Sequence, residues 1–199
     1  MSPGYSVRWW KSNGSEPPDV DPVTFLEAKI GWRYAKGTVD ENCANMILAD
    51  STHHLDELAQ NIQGGGGQGF DLIFTSPPYF AITNYYADQW IRRWMLGGPP
   101  APVHSDGPHQ GRFASREHYE ALLWNVFQGC ARVCSPNATV FVRTDARPYS
   151  LETTLKALTA AFPDRRLDQK PAPFSRPTQT ALYGDASLKP GEMDLILTA

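Results

Sequence analysis

Residues 70–79 decide the fold, and they read Phe-Asp-Leu-Ile-Phe-Thr-Ser-Pro-Pro-Tyr. The first five residues form a short, largely apolar run, which predicts a strand. The turn Thr75-Ser76-Pro77-Pro78-Tyr79 follows at once, and its two prolines end the strand and fix the backbone. In open α/β sheets, ligands bind outside the carboxyl ends of the strands. A rigid turn there, with a hydroxyl, outward carbonyls and an aromatic ring, favours a site for a flat polar ligand.

The chain before this stretch predicts further alternating elements. Residues 1–22 are rich in Pro, Gly, Ser and Trp and predict an irregular arm, and a helix is expected over 22–36. The apolar run 44–49 predicts a buried strand, and a helix is expected over 52–63. The glycines at 64–67 follow that helix and precede a strand. They therefore predict a connector, because loops that cradle phosphates follow a strand and open a helix.

The chain after the stretch continues the alternation. The predicted elements are an aromatic segment over 85–94, an amphipathic helix over 115–134, a strand over 139–142, a helix over 151–162 and two closing strands over 167–170 and 193–197. Strands that alternate with helices predict an α/β domain with a mostly parallel sheet. The last two strands have no helix between them, which predicts a C-terminal β-hairpin.

Length and composition predict one soluble domain. The chain has 199 residues, enough for a single core, and we divide it into an N-terminal arm and helix (1–43) and a main region (44–199). No apolar run reaches the roughly 18 residues of a membrane span, and no signal peptide is recognisable at the N-terminus. A cytoplasmic location without a membrane partner is the expectation.

The net charge bears on whether the chain binds DNA alone, and the cysteines bear on whether it binds a metal. The formal charge is −3 and the sequence pI is near 5.9, which argues mildly against a chain that holds DNA alone. Cys130 and Cys134 lie four residues apart on a predicted helix, but no further ligand completes a metal set nearby. Two buried thiols are the favoured interpretation.

The motif Ser76-Pro77-Pro78-Tyr79 resembles the catalytic motif of the amino-methyltransferases, which methylate an exocyclic nitrogen of cytosine or adenine in DNA. That family carries Asp, Asn or Ser before Pro-Pro and then Tyr, Phe or Trp, and the serine form is most similar to the N4-cytosine enzymes. The resemblance covers about residues 44–199. It implies a Rossmann-like fold of the kind that uses S-adenosylmethionine.

The resemblance also implies a role for each motif residue. Ser76 and the carbonyl of Pro77 would accept hydrogen bonds from the amino group, whose lone pair is otherwise delocalised into the base. Pro78 would complete the rigid turn, and Tyr79 would stack on the flipped base. The methyl group would pass directly from S-adenosylmethionine to the base, because the protein mainly positions the reactants.

The resemblance predicts two further groups of residues. The cofactor-binding residues are expected to be Asp50, Ser51 and Thr75, and the substrate-binding residues Phe80, Asn84 and Tyr85. Asp50 is explained equally well as a helix N-cap, and Tyr85 equally well as a core residue.

Part of the family's pattern is not recognisable in this sequence. The glycine-rich turn that binds the cofactor after the first strand, and the acidic residue after the next strand, are missing, as is a conventional target-recognition domain. The loops 99–111 and 171–192 are the candidates for DNA contact. A sheet without its cofactor strands would expose apolar surface. We therefore expect, besides DNA, a second chain, a second copy or a missing segment that carries the glycine-rich half.

The predicted function is methylation of a DNA amino group, cytosine N4 favoured over adenine N6, in host-DNA protection (restriction–modification) or epigenetic marking. Two alternatives stay open at this point. One is a non-catalytic DNA-binding or assembly subunit of a split methyltransferase. The other is an amino-methyltransferase that acts on RNA or protein.

Overall fold

The computed structural model describes residues 3–16, 19–38, 44–82, 85–101, 113, 115–174 and 189–199. The chain divides into two compact units, Pro3–Ala49 and Asp50–Ala199. The functional division into residues 1–43 and 44–199 stays a prediction. The elements are α1 (Pro3–Ser12), α2 (Pro22–Tyr34), α3 (Ser51–Gln63), β1 (Phe70–Thr75), α4 (Tyr85–Met95), α5 (Arg116–Val133), β2 (Cys134–Asp145), α6 (Pro148–Ala161), β3 (Arg166–Ala172) and β4 (Glu192–Thr198).

The smaller unit contains α1 and α2. The prediction of an irregular arm is wrong over α1, and the predicted helix over 22–36 is confirmed as α2. Asp21 caps α2, because its carboxylate accepts hydrogen bonds from the backbone N–H groups of Val23 and Thr24. Pro22 occupies the first turn, where a missing N–H costs nothing.

The strand predicted over 44–49 is absent. These residues are irregular and exposed, and the side chains of Met46 and Leu48 are almost fully accessible. A largely apolar run does not by itself specify a strand, because a strand also needs a neighbour with which to pair. The prediction of a buried strand that ends at Asp50 is therefore wrong.

The larger unit contains a four-stranded sheet in the order β1-β2-β4-β3. β1 pairs in parallel with β2, whereas β4 pairs in antiparallel fashion with both β2 and β3. Three strands thus run in one direction, and β4 opposes them. The expected mostly parallel sheet is corrected to a mixed sheet: in the described residues one of the three pairings is parallel. The pairing of the two closing strands is observed as predicted.

One face of the sheet packs against helices. Val140 and Val142 of β2 and Leu195 and Leu197 of β4 are at most 1% exposed. They form one core with buried residues of α5 and α6, which are Tyr119, Leu123, Phe127, Cys130, Ala157 and Leu158. Helix α3 packs on α5. The alternation of β2 and β4 directs every second side chain to this core.

Helix α5 shows why these residues form a covering layer. Its buried positions recur at helical spacing, and Ser115 caps its start by accepting a hydrogen bond from the N–H of His118. Burial raises the pKa of the Cys130 thiol to about 11, so it stays protonated at neutral pH. The prediction of a buried helix thiol is confirmed for Cys130, whereas Cys134 is the first residue of β2 and only partly buried, so the prediction is wrong for Cys134.

Among the described residues, no helix is both long and apolar enough to cross a bilayer. The same residues contain no group of His, Cys, Asp and Glu side chains arranged to hold a metal ion.

Candidate functional site

The strand pairings bring three parts of the chain to one edge of the sheet. Thr75, the last residue of β1, lies opposite Val142, and β2 continues beyond it to Asp145. Because β4 is antiparallel, its first residue, Glu192, lies opposite Asp145. The turn that begins at Ser76 therefore leaves the sheet beside the end of β2 and the start of β4. This is the carboxyl edge, where α/β sheets bind ligands.

The motif forms a turn at this edge with its serine exposed. Thr75, Pro77, Pro78 and Tyr79 are partly buried, and Ser76 is accessible to solvent. A hydrogen bond from the N–H of Ile82 to the carbonyl of Tyr79 closes a turn over residues 79–82, directly after the motif. Ala81 has a φ of 57°, which non-glycine residues seldom adopt. Strained backbone of this kind clusters at functional sites.

Tyr79 is joined to a chain of charged side chains on β2 and β4. Its hydroxyl donates a hydrogen bond to Oε1 of Glu192. Arg143 Nε lies 3.8 Å from Glu192 Oε2, and its guanidinium forms two hydrogen bonds with Asp194, of 2.6 and 2.8 Å. The paired geometry makes Arg143–Asp194 the best-defined ion pair of the edge.

Burial is the main cause that raises the pKa of Tyr79 above its ordinary value, and the neighbouring Glu192 carboxylate raises it further. A hydrogen bond with Ser76 acts in the opposite direction. The phenol of Tyr79 is therefore neutral at physiological pH. A neutral ring suits stacking on a base, and it excludes Tyr79 as a phenolate general base.

Asp145, the last residue of β2, is a buried carboxylate at this edge of the sheet. It is 3% exposed, and its carboxylate accepts hydrogen bonds from the side chain of Arg147, at 2.9 Å, and from the Arg147 backbone N–H, at 3.3 Å. Next to it, the hydroxyls of Thr144 and Thr154 lie 3.2 Å apart in the core. The charge of this buried carboxylate is thus compensated by Arg147 within the end of β2 and the start of α6.

Phe80 follows Tyr79 and contacts the core. Its ring lies edge-on to Tyr149, with 4.5 Å between centroids, and 5.4 Å from Tyr119. The guanidinium of Arg116 lies over the ring of Tyr149, 4.7 Å from its centroid. The contacts attach the motif to α5 and α6, and the predicted contact of Phe80 with a substrate stays a prediction.

The predicted cofactor residues are distributed over two elements. Asp50 is the N-cap of α3, where its carboxylate accepts from the Thr52 N–H at 2.9 Å and from the Thr52 hydroxyl at 2.6 Å. Ser51 is the exposed first residue of that helix, and Thr75 ends β1. The N-cap interpretation of Asp50 is confirmed, and the cofactor roles of all three residues stay predictions.

Other contacts show where the first half of α3 lies. Leu55 packs on Gly129, and Asp56 forms an ion pair with Arg132. Gly129 and Arg132 belong to the last turn of α5, which leads into the amino end of β2, whereas the motif follows the carboxyl end of β1. The structure thus does not bring this half of α3 to the motif.

Several predicted residues lie outside the described part of the chain. Asn84 is one of them, and of Tyr85 only the backbone, at the start of α4, is described. Most of the two loops considered for DNA contact, 99–111 and 171–192, is also outside it. Their roles stay predictions.

Three residues of the edge were not singled out from the sequence: Glu192, Arg143 and Asp194. The available signal was that a charged residue lies between apolar residues in each of two strands, at Asp194 in β4 and at Arg143 in β2. That signal shows that one face of each strand is polar. It does not show which charges meet, because the pairing of β2 with β4 decides that.

S-adenosylmethionine is the cofactor that the resemblance implies, and the described residues do not fit it by themselves. β1 is followed by Ser-Pro-Pro-Tyr and β2 by Ala146-Arg147-Pro148, so neither strand leads into a glycine-rich turn. The acidic groups of the edge, Glu192 and Asp145, already pair with Tyr79 and Arg147.

Comparisons with known proteins leave the family open. No protein-family model and no curated protein matches the chain. Among solved structures, "Crystal structure of SMU.776, a putative methyltransferase complexed with SAH" aligns at 14% identity and a TM-score of 0.38. The alignment covers 79% of this chain and 33% of that one, so this chain spans about a third of the length of that protein. What these residues establish is an α/β unit with a mixed four-stranded sheet and a Ser-Pro-Pro-Tyr turn at its carboxyl edge.

Proposed function

We propose that this chain provides the base-binding and catalytic part of an S-adenosylmethionine-dependent DNA amino-methyltransferase, with cytosine N4 favoured over adenine N6. The observation that supports this most is the position of the exposed Ser76, in a proline-fixed turn directly after β1 at the carboxyl edge. Chemistry on a base requires a flipped base in a pocket that offers hydrogen bonds and an aromatic face. Ser76 and Tyr79 offer both within four residues.

The proposed role of the chain is to prepare the acceptor. Ser76 and the Pro77 carbonyl accept hydrogen bonds from the amino group, and this localises the nitrogen lone pair toward the incoming methyl group. Tyr79 stacks on the base and offsets part of the stacking that the base loses on flipping. Bound S-adenosylmethionine would supply the methyl group: the new N–CH3 bond would replace the S–CH3 bond of the donor, the thioether would leave, and the amino proton would pass to solvent water.

The methyl donor would be held mainly by a second half. We propose that a second chain, a second copy or a further segment carries the glycine-rich turn, because the described residues contain none at the carboxyl ends of β1 and β2. DNA binding would also be shared with that half, since this chain has a net charge of −3. The assembly would serve restriction–modification or epigenetic marking in the cytoplasm.

The experiment is a methyl-transfer assay on the assembly as cells contain it. A tagged chain is purified from its native cells under mild conditions, so that any partner accompanies it. Tritiated S-adenosylmethionine is then supplied with unmethylated DNA, RNA or protein as the acceptor. We expect label in DNA, in the amino group of cytosine. Label in RNA or protein alone would replace the proposal with the corresponding alternative.

The variants Ser76→Ala and Tyr79→Ala locate the site. Ser76→Ala should lower the rate of methyl transfer about a hundredfold or more, the scale of losing one preorganised hydrogen bond at a reacting centre. Tyr79→Ala should lower it about tenfold to a hundredfold, the scale of losing one base-stacking ring. The matched controls are Ser135→Ala, at the amino end of β2, and Tyr34→Ala, an exposed residue of α2. If both site variants keep the rate of the controls, the motif is not the site. DNA binding without any methyl transfer would favour the non-catalytic subunit.

A further inference from the structure

Glu192 lies at the point where the motif meets the closing strand. Its carboxylate accepts the hydrogen bond of the Tyr79 hydroxyl, and its side chain is 22% exposed. Tyr79 and Glu192 are 113 residues apart in the sequence, so this contact depends on the folded sheet. Its existence makes the orientation of the Tyr79 ring dependent on β4.

The backbone holds Glu192 on both sides. Glu192 pairs with Asp145 in the ladder between β2 and β4 and with Ala172 in the ladder between β3 and β4. Gly191, directly before it, has a φ of 82°, and its carbonyl accepts a hydrogen bond from the Ala146 N–H at 3.2 Å. A Cβ at Gly191 would lie 3.0 Å from the Cα of Pro173. Only glycine fits this turn without strain.

Arg143 restrains the side chain of Glu192. Its Nε is 3.8 Å from the carboxylate, and the same guanidinium is held by Asp194. Arg143, Glu192 and Asp194 have alternate or paired positions on two adjacent strands, so their side chains lie on the same face of the sheet. Glu192 is therefore a preorganised acceptor, and the Tyr79 hydroxyl meets a carboxylate whose position is already set.

We propose that Glu192 is a positioning residue for methyl transfer: by holding the hydroxyl of Tyr79, it presets the ring to stack on the base beside Ser76. This inference rests on the proposed function. A tyrosine side chain rotates about two torsions, and a hydrogen bond at its far end restricts both. The base then enters a site whose aromatic face is already oriented, which reduces the ordering that has to accompany binding.

The first part of the test measures the contact itself and needs no activity. The chain is labelled at tyrosine Cζ, and the Tyr79 signal is identified by its loss in Tyr79→Phe. Glu192→Ala should shift that signal, and Glu152→Ala, at an exposed position of α6, should not. An unchanged Tyr79 signal in Glu192→Ala overturns the inference, whatever the activity.

The second part measures kcat and KM for DNA in the assembly that transfers methyl groups. Glu192→Ala should lower kcat about tenfold to a hundredfold, the scale of a misplaced reacting group, with little change in the KM for S-adenosylmethionine. Tyr79→Phe keeps the ring and loses the hydroxyl with its hydrogen bonds to both Glu192 and Ser76, so its loss should be at least as large. The double variant should lose no more than Tyr79→Phe alone, because the hydrogen bond that Glu192→Ala removes is already absent in Tyr79→Phe. Glu192→Gln, whose amide oxygen can still accept, should restore much of the activity.

The outcomes separate this inference from the proposed function. Losses that add in the double variant, or wild-type kcat in Glu192→Ala, overturn the positioning role while methyl transfer stands. A wild-type assembly that transfers no methyl group overturns the proposed function, and the positioning role falls with it even if the Tyr79 signal shifts. Circular dichroism of each variant identifies a loss that comes from unfolding, and Glu192→Gln then decides the case.

Discussion

The two faces of the sheet differ sharply in what covers them. On one face, Val140 and Leu195 are fully buried beneath α5 and α6. On the other face, Leu72 is 59% exposed and Phe74 is 73% exposed. Phe74 stacks on Phe141, which lies opposite it on the neighbouring strand, with 5.0 Å between the ring centroids. The same alternating strands therefore have a packed core on one side and accessible hydrocarbon on the other.

The difference in exposure between the two faces indicates where a second layer could pack on this sheet. Sheets that contain parallel strands normally have layers on both faces, because side chains on both sides are apolar. Contiguous exposed apolar surface marks an interaction site or an aggregation liability. In the described sheet β1 is an edge strand, and this face carries exposed apolar side chains; we propose that the cofactor-binding half packs there.

The largest expected effect is the loss of stability when an aromatic ring is deleted from the covered core, compared with a ring deleted from the exposed face. Phe127→Ala, in the covered core, should lower the free energy of unfolding by about 3–5 kcal/mol. Phe74→Ala should lower it by about 1 kcal/mol, because it loses mainly the stacking with Phe141. Urea unfolding of the purified chain measures both. Equal losses would show that the second face is also covered in the free chain.

A smaller effect is expected where the covering helices meet. A Cβ added at Gly129 would lie 2.8 Å from the Cβ of Leu55, so α5 and α3 approach closely at this glycine. Gly129→Ala should therefore cost about 1–3 kcal/mol through overpacking. The matched control is Gly31→Ala in α2, where an added Cβ meets nothing within 4 Å. Thermal unfolding compares the two variants. A Gly129→Ala variant with the unfolding temperature of the wild type would contradict the close packing of α3 on α5.

The smallest effect on stability is expected at the ion pair between Arg143 and Asp194, on the exposed face of the sheet. The hydrogen bonds of Arg143 hold the pKa of Asp194 below its ordinary value of 3.8. A carboxylate with a lowered folded-state pKa contributes stability that is full above its ordinary pKa and is lost as the pH falls through the lowered value. Asp194→Asn should cost about 1 kcal/mol or less at pH 7, because Arg143 is 43% exposed.

The pH dependence tests this assignment. The difference in unfolding temperature between wild type and Asp194→Asn should be constant from pH 7 to about pH 5 and shrink below pH 3.8. A difference that grows on acidification would mean that Asp194 is not the partner that Arg143 stabilises.

The sequence predicts the covered face well because that face depends on local periodicity. Helix α5 was expected over 115–134 and lies at Arg116–Val133, since burial of one helix face leaves a clear spacing of apolar residues. The predicted strand at 44–49 failed for the opposite reason. An apolar run signals burial, but whether a partner strand exists is a property of the whole fold.

The candidate site was predictable in its motif and not in its surroundings. Two prolines after an apolar strand identified the turn at Ser76 without any structural information. The contact of Tyr79 with Glu192 depends on the insertion of β4 between β2 and β3, and nothing near either residue encodes it. Phe80 shows the same limit, because its packing on Tyr149 requires α6 to be in place.

The central claim is that this chain carries the acceptor side of a methyl-transfer site and that the donor side is supplied elsewhere. Calorimetric titration of the purified, folded chain with S-adenosylmethionine tests it most directly. We expect no one-to-one binding by the chain alone. Clear one-to-one binding would contradict it, because a complete cofactor site would then exist within these 199 residues.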